Sequence, residues 1–235
     1  MASYQLFEKN LIGTDYVVGD IHGNYNALMY LLKKIGFNFD KDRLFSVGDL
    51  TDRGLENVQV VSLIKKNWFF PVRGNHEDLI IDIGLLTYDQ YYEDRENRNG
   101  NDWFFEESDT TRLKIIEEFK KLPYAIQIGN VGIVHAYPDN CWEKTLKAIK
   151  YNDQLKINTF VWNRTISKLV AKFNYSLVRN IKNIDYVIVG HQIQPKVQKV
   201  ENIIFLDTGF YAGGELSVIN LSNHKITSVS YGEKF

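Results

Sequence analysis

Apolar residues in the first third of the chain fall into short runs separated by helical stripes. Asp15-Tyr16-Val17-Val18 is a β-favouring run that ends at Gly19-Asp20. Ala27, Leu28, Leu31, Leu32 and Ile35 then recur on one helical face, which predicts a helix over residues 24–34 that Asn24 can cap. Arg43-Leu44-Phe45-Ser46-Val47 predicts a second strand, again ending at Gly-Asp. Residues 57–66, with Val58, Val61, Leu63 and Ile64 apolar, predict a second helix. Trp68 to Val72 predicts a third strand before Gly74-Asn75-His76-Glu77. This rhythm predicts adjacent strands joined by crossover helices.

The middle of the chain differs. Residues 87–102 are polar and tyrosine-rich and read as a loop or lid. A helix follows over residues 110–121, broken by Pro123. Residues 124–128 and 131–135 predict a hairpin turning at Gly129-Asn130. Further strands are predicted at 185–189, 203–206, 215–221 and 226–231, and their succession without helices predicts antiparallel pairing. The expected fold is α/β: two packed mixed β-sheets flanked by helices, in a single domain over residues 1–235.

Composition narrows the possible functions. Net charge is −1, so no global field favours nucleic acid or membrane, and neither is expected as a stable partner. A single cysteine, Cys141, rules out an intrachain disulfide and a cysteine-rich zinc site. No apolar run approaches the ~20 residues of a membrane span, and the N-terminus lacks a signal-like stretch, so a cytoplasmic setting is expected. Charge is uneven: residues 141–183 carry 9 Lys/Arg against 2 acids. They read either as solvated helix faces or as a region that attracts a phosphorylated substrate.

Three blocks carry candidate chemistry: Gly19-Asp20-Ile21-His22-Gly23, Gly48-Asp49-Leu50-Thr51-Asp52-Arg53-Gly54 and Gly74-Asn75-His76-Glu77. Each alone fits a structural role, such as a turn or a helix start. Together, each after a predicted strand, they would converge on one sheet edge, where ligands bind. Asp and Asn offer hard oxygen and His offers imidazole nitrogen, a mixture suited to divalent metals. In Asp20-x-His22, alternate side chains of an extended segment would share a face and reach one ion. Asp49 could bridge two ions through its two oxygens.

These blocks resemble the signature of the calcineurin-like metallophosphoesterases, in the phosphoprotein phosphatase branch. Later segments narrow the resemblance: Asn101-Asp102-Trp103-Phe104-Phe105, Val134-His135-Ala136-Tyr137-Pro138, Val161-Trp162-Asn163-Arg164, Gly190-His191 and Asp207-Thr208-Gly209. They follow the order seen in the bacteriophage lambda protein phosphatase and its bacterial relatives. The resemblance implies that Asp20, His22 and Asp49 hold one metal, and that Asp49, Asn75, His135 and His191 hold a second. Manganese is the expected ion, and iron and zinc suit the same ligands. A hydroxide activated by two metals would attack phosphorus. His76, oriented by Asp52, would protonate the leaving oxygen. Arg53 and Arg164 would grip phosphate oxygens; Arg73 would either join them or buttress Asp49 and Asn75.

The expected activity is metal-dependent hydrolysis of phosphate monoesters by a serine/threonine protein phosphatase acting on a phosphorylated protein or peptide. A dinucleoside polyphosphate (diadenosine tetraphosphate) hydrolase or nucleotide-cap phosphohydrolase would use the same cage. A catalytically silent binding module would have lost a ligand or the acid, and all of them are present.

Overall fold

The apolar runs form strands that are buried on both faces, which explains why they read as continuous rather than alternating. The computed structural model describes residues 3–84, 86 and 99–233. Its strands are β1 (Tyr4–Phe7), β2 (Asp15–Val18), β3 (Arg43–Ser46), β4 (Phe69–Pro71), β5 (Ala125–Ile128), β6 (Val131–Val134), β7 (Tyr186–Val189), β8 (Gln198–Val200), β9 (Ile203–Phe205), β10 (Glu215–Asn220) and β11 (Ile226–Ser230). Its helices are α1 (Tyr25–Lys34), α2 (Asn57–Leu63), α3 (Asn75–Ile83), α4 (Trp103–Glu106), α5 (Asp109–Lys121), α6 (Trp142–Lys150), α7 (Gln154–Trp162) and α8 (Thr165–Ala171).

Two mixed sheets result, as expected. One has the order β1-β5-β6-β7-β9-β8, the other β11-β10-β2-β3-β4. Val17, Phe45, Ile126, Ile133 and Ile188, drawn from both sheets, pack between them. The outer face of the five-stranded sheet packs Val18, Leu44 and Phe69 against Leu28 and Leu31 of α1 and Phe119 of α5. The outer face of the other sheet packs Val134 and Val187 against Trp142 of α6 and Phe160 of α7. No described helix is long and apolar enough to cross a membrane.

Several expectations change. The antiparallel expectation holds for β10 with β11 but not for β7 with β9, which pair in parallel. The short strand β8, which the pattern did not reveal, makes the return run and pairs antiparallel with β9. The basic segment folds into α6, α7 and α8, and the edge strand β1 pairs with β5. Of the polar segment 87–102, residues 87–98 lie outside the described residues. Asn24 stands at the N-cap of α1, yet its side chain does not cap the helix. Its Nδ2 donates backward to the carbonyls of Ile21 and His22, at 2.8 and 2.7 Å. It ties down the loop after β2 instead.

Phe45 is fully buried between the sheets, edge-on to Phe7 and stacked on Phe70. Phe45→Ala should cost about 3–5 kcal/mol of folding stability, read by urea unfolding. Leu113→Ala, at a position that is 62% exposed, should stay within about 0.5 kcal/mol.

Candidate metal centre

β2, β3 and β4 run parallel in one sheet, and β6, β7 and β9 run parallel in the other. Their carboxyl ends deliver Asp20 and His22, then Asp49, Asp52 and Arg53, then Asn75 and His76, and from the second sheet His135, His191 and Asp207. The loops are tight. His22, Asp49, Asp52, Arg53 and His191 all have positive φ, between 46° and 74°. Such backbone is costly for non-glycine residues and gathers at functional sites. The Asp20-x-His22 segment is therefore a turn rather than the extended pair expected, and His22 reaches the site through its left-handed backbone. A Cβ on Gly74 would sit 2.2 Å from Asp49 Oδ1, so only glycine lets the second and third loops touch.

Among the described residues, two sets hold ligand atoms within 4.8 Å of one another: His22, Asp49 and His76, and Asp49, His135 and His191. Asp49 belongs to both. Its Oδ2 lies 3.7 Å from His22 Nε2 and its Oδ1 lies 3.2 Å from His135 Nε2, as a bridging carboxylate requires. Asn75 Oδ1 lies 2.9 Å from His135 Nε2 and 2.7 Å from His191 Nδ1. The Asp20 carboxylate accepts from the His191 amide at 3.0 Å.

The proton positions test whether cations fit. His22 Nδ1 donates to the Thr51 carbonyl at 2.9 Å, and His135 Nδ1 donates to the Val47 carbonyl at 2.7 Å. A neutral imidazole has one N–H, so both Nε2 atoms turn lone pairs inward. His135 Nε2 then faces Asn75 Oδ1 and Asp49 Oδ1, acceptor against acceptor, in a site where all three residues are buried. Only a proton or a cation reconciles them. His191 Nε2 lies 3.0 Å from Arg164 Nε and 3.3 Å from the Trp162 carbonyl. Arg164 Nε donates to Nε2 here; a cation on Nδ1 would move the imidazole proton to Nε2, turning it to the Trp162 carbonyl and releasing Arg164. The donor set thus fits two divalent cations.

Charge points the same way. Burial, then Asp207, then Asp49 push the Asp20 pKa well above the usual carboxylate range. Burial and Asp49 push Glu77 up to about 7, and burial pushes Asp207 up to about 6. Crowded, buried carboxylates of this kind are relieved by bound positive charge. Burial also lowers His22 and His191 to about 3, which keeps both imidazoles neutral.

Beside the cage, His76 Nδ1 lies 2.6 Å from Asp52 Oδ2, with both side chains buried. His76 Nε2 lies 3.8 Å from Asp49 Oδ2 and so opens toward the site. The Arg53 guanidinium rests 4.5 Å over the Tyr211 ring, and that ring stands edge-on to His22. Arg73 holds partners other than those considered for it. Its guanidinium donates to Asp78, Tyr124 and the Lys120 carbonyl, tying α3 to the end of α5, and makes no hydrogen bond to Asp49 or Asn75 among the described residues.

Sequence reasoning assigned no role to four residues here. The Glu77 carboxylate accepts from the backbone N–H of Asp49, Leu50 and Gly74, at 3.0, 2.8 and 2.7 Å. Asp207, fully enclosed, accepts from Gly209 N–H at 2.9 Å. Its signal was available: Asp-Thr-Gly follows an apolar strand, as the other blocks do. Trp103 and Tyr211 complete the set, touching Asp52 and Arg53 respectively.

Comparison with known proteins shows the family. The family model described as calcineurin-like phosphoesterase matches residues 16–195. Serine/threonine-protein phosphatase 2 of Salmonella typhimurium is 31% identical over 214 residues, covering 88% of this chain and 92% of the relative. The symmetrical bis(5'-nucleosyl)-tetraphosphatase of Neisseria meningitidis is 26% identical and covers 91% of this chain and 94% of its own. Among solved structures, a candidate diadenosine tetraphosphatase superposes with a TM-score of 0.69 at 22% identity, over 100% of both chains. At that identity the likeness concerns the fold. Family model and relatives together show that the chain belongs to the calcineurin-like phosphoesterases, a family of metal-dependent hydrolases.

Proposed function

We propose that this phosphoesterase hydrolyses phosphate monoesters with two manganese ions in the cage of Asp20, His22, Asp49, Asn75, His135 and His191, and that its substrate is phosphorylated serine or threonine in a protein. A bound cation pair supplies charge neutralisation of the phosphate and a water acidified enough to attack near neutral pH. The remaining work falls to side chains. Arg53 and Arg164, both exposed at the rim, grip non-bridging phosphate oxygens with guanidinium forks. His76 delivers a proton from Nε2 to the departing oxygen, while Asp52 fixes its tautomer and offsets its positive charge. Burial alone would lower the His76 pKa; Asp49 and Asp52 outweigh it and raise the value, which favours the protonated acid at neutral pH.

The observation that carries this reading is the buried 2.6 Å contact between His76 and Asp52 beside the ligand cluster. A serine or threonine alkoxide is a strongly basic leaving group and needs such an acid. A nucleotide phosphate is a weaker base and needs it less. The Salmonella relative, 31% identical across nearly its whole length, supports the same substrate class. The second reading, hydrolysis of a dinucleoside polyphosphate, is favoured by the Neisseria tetraphosphatase.

Three outcomes are expected. The manganese-loaded protein should turn over a phosphoserine peptide faster than diadenosine tetraphosphate in parallel kcat/KM measurements; the reverse ranking would transfer the assignment to the second reading. His76→Asn should lower kcat on the peptide by roughly 10²–10⁴. Chelation should abolish activity and lower the melting temperature. Manganese at about 100 times its Kd should restore stability worth about 2.7 kcal/mol, and Asp20→Asn should blunt that response. A melting temperature indifferent to manganese would remove the metal assignment.

A further inference from the structure

The segment Asn101-Asp102-Trp103-Phe104-Phe105 stands out in the sequence, yet the hydrolytic scheme above makes no use of it. Trp103 Nε1 donates to Asp52 Oδ1 at 2.7 Å, while the other oxygen of the same carboxylate holds His76. Asp52 has no solvent exposure. Without the indole, one oxygen of a buried carboxylate would lose its partner, and the carboxylate would be free to turn. An indole N–H is a donor only. It therefore holds Asp52 without offering a second site for the proton that His76 must deliver.

Trp103 is itself anchored. Its ring stands edge-on to Phe104, which is buried in the core beneath α4. The residues just before it reach the same loop. The Arg53 amide donates to the Gly100 carbonyl at 3.0 Å, and a Cβ on Gly100 would come 2.9 Å from Arg53 N. Residues 100–103 thus clamp two neighbours at once: Arg53 through its backbone and Asp52 through its side chain. Asn57 Oδ1 accepts from the Asp52 amide at 2.8 Å and closes the clamp from α2.

We propose that Trp103 is a positioning residue for proton delivery: it orients Asp52, and through Asp52 it aims His76 at the leaving oxygen. The inference rests on the phosphomonoesterase reading and on His76 as the acid, but not on protein as the substrate. A leaving group that is a weak base departs with little help, whereas a strong base depends on the acid. Loss of aim must therefore show in the dependence on leaving group. Loss of folding or of cation binding would slow all esters alike.

The experiment compares phenyl phosphate with p-nitrophenyl phosphate, whose phenolate is the weaker base, using manganese-loaded protein. Trp103→Phe keeps a packing ring and removes the N–H. Its kcat should fall about 10-fold more on phenyl phosphate than on p-nitrophenyl phosphate, within the range seen when an outer hydrogen-bond partner is lost. In a His76→Asn background the same change should add less than about 2-fold, because the two residues act in series. Should Trp103→Phe fail to fold, a benzothienyl side chain in place of the Trp103 indole removes only the donor and gives the same comparison. Equal losses on both esters, or losses that multiply with those of His76→Asn, would overturn the proposal. An unaffected His76→Asn variant would remove the acid, and this inference with it. Wild-type protein inert on both esters would overturn the phosphatase reading itself.

Discussion

His135 Nε2, Asn75 Oδ1 and Asp49 Oδ1 face one another at 2.9 and 3.2 Å inside a buried site, and with a neutral imidazole each of them is an acceptor. This opposition is unfavourable unless positive charge lies between the atoms, and much of the surrounding structure is organised around it. The backbone carbonyls of Thr51 and Val47 take the Nδ1 protons of His22 and His135, which turns the lone pairs inward. Glycines at 48, 74 and 190 let the loops close until oxygen and nitrogen nearly touch. Left-handed backbone at His22, Asp49 and His191 aims side chains that ordinary strand ends would direct elsewhere.

Strain of that kind persists only where neighbours over-determine it. Glu77 does so for the second and third loops by accepting three of their amides. Asn57 does so for the turn at Asp52, receiving its amide and donating to the Gly54 carbonyl. Asn24 does so for the first loop. Three side chains without a place in the ligand set thus hold the backbone from which the set projects. The two sheets hold it from below, since the fully buried inter-sheet layer fixes where their strand ends lie.

The sequence was most legible where local pattern and chemistry coincide. β2, β3 and β4 are apolar runs that stop at glycine followed by a candidate ligand, so both the strands and the candidates could be read from neighbouring residues. β1 and β8 were hidden because one carries the exposed Leu6 on an edge and the other is three residues long. Helices α6 to α8 span only two or so turns each, and their lysines drew attention away from Trp142, Ile157 and Phe160, which pack inward. The partners of Arg73 were not legible, because its place beside the third block says nothing of its direction. Its partner Tyr124 is 51 positions away. Trp103 meets Asp52 at the same separation, and Glu77 meets Asp49 at 28. Such contacts exist only once the chain has folded.

The division of ligands between the sheets has a mechanical consequence. Asp20, His22, Asp49 and Asn75 extend from one sheet, whereas His135 and His191 extend from the other. Neither sheet alone could supply the set of Asp49, Asn75, His135 and His191, so the thickness of the apolar layer between them sets the span that an ion held there would have to bridge. Phe45, Ile133 and Ile188 pack as a spacer, and a swelling or thinning of their layer by a fraction of an ångström would become an error in the distances between the candidate ligands. Substitutions remote from the cage would then alter the selectivity among ions of different radius, even where the protein stays folded. The core of this sandwich would then double as the gauge for the candidate metal site.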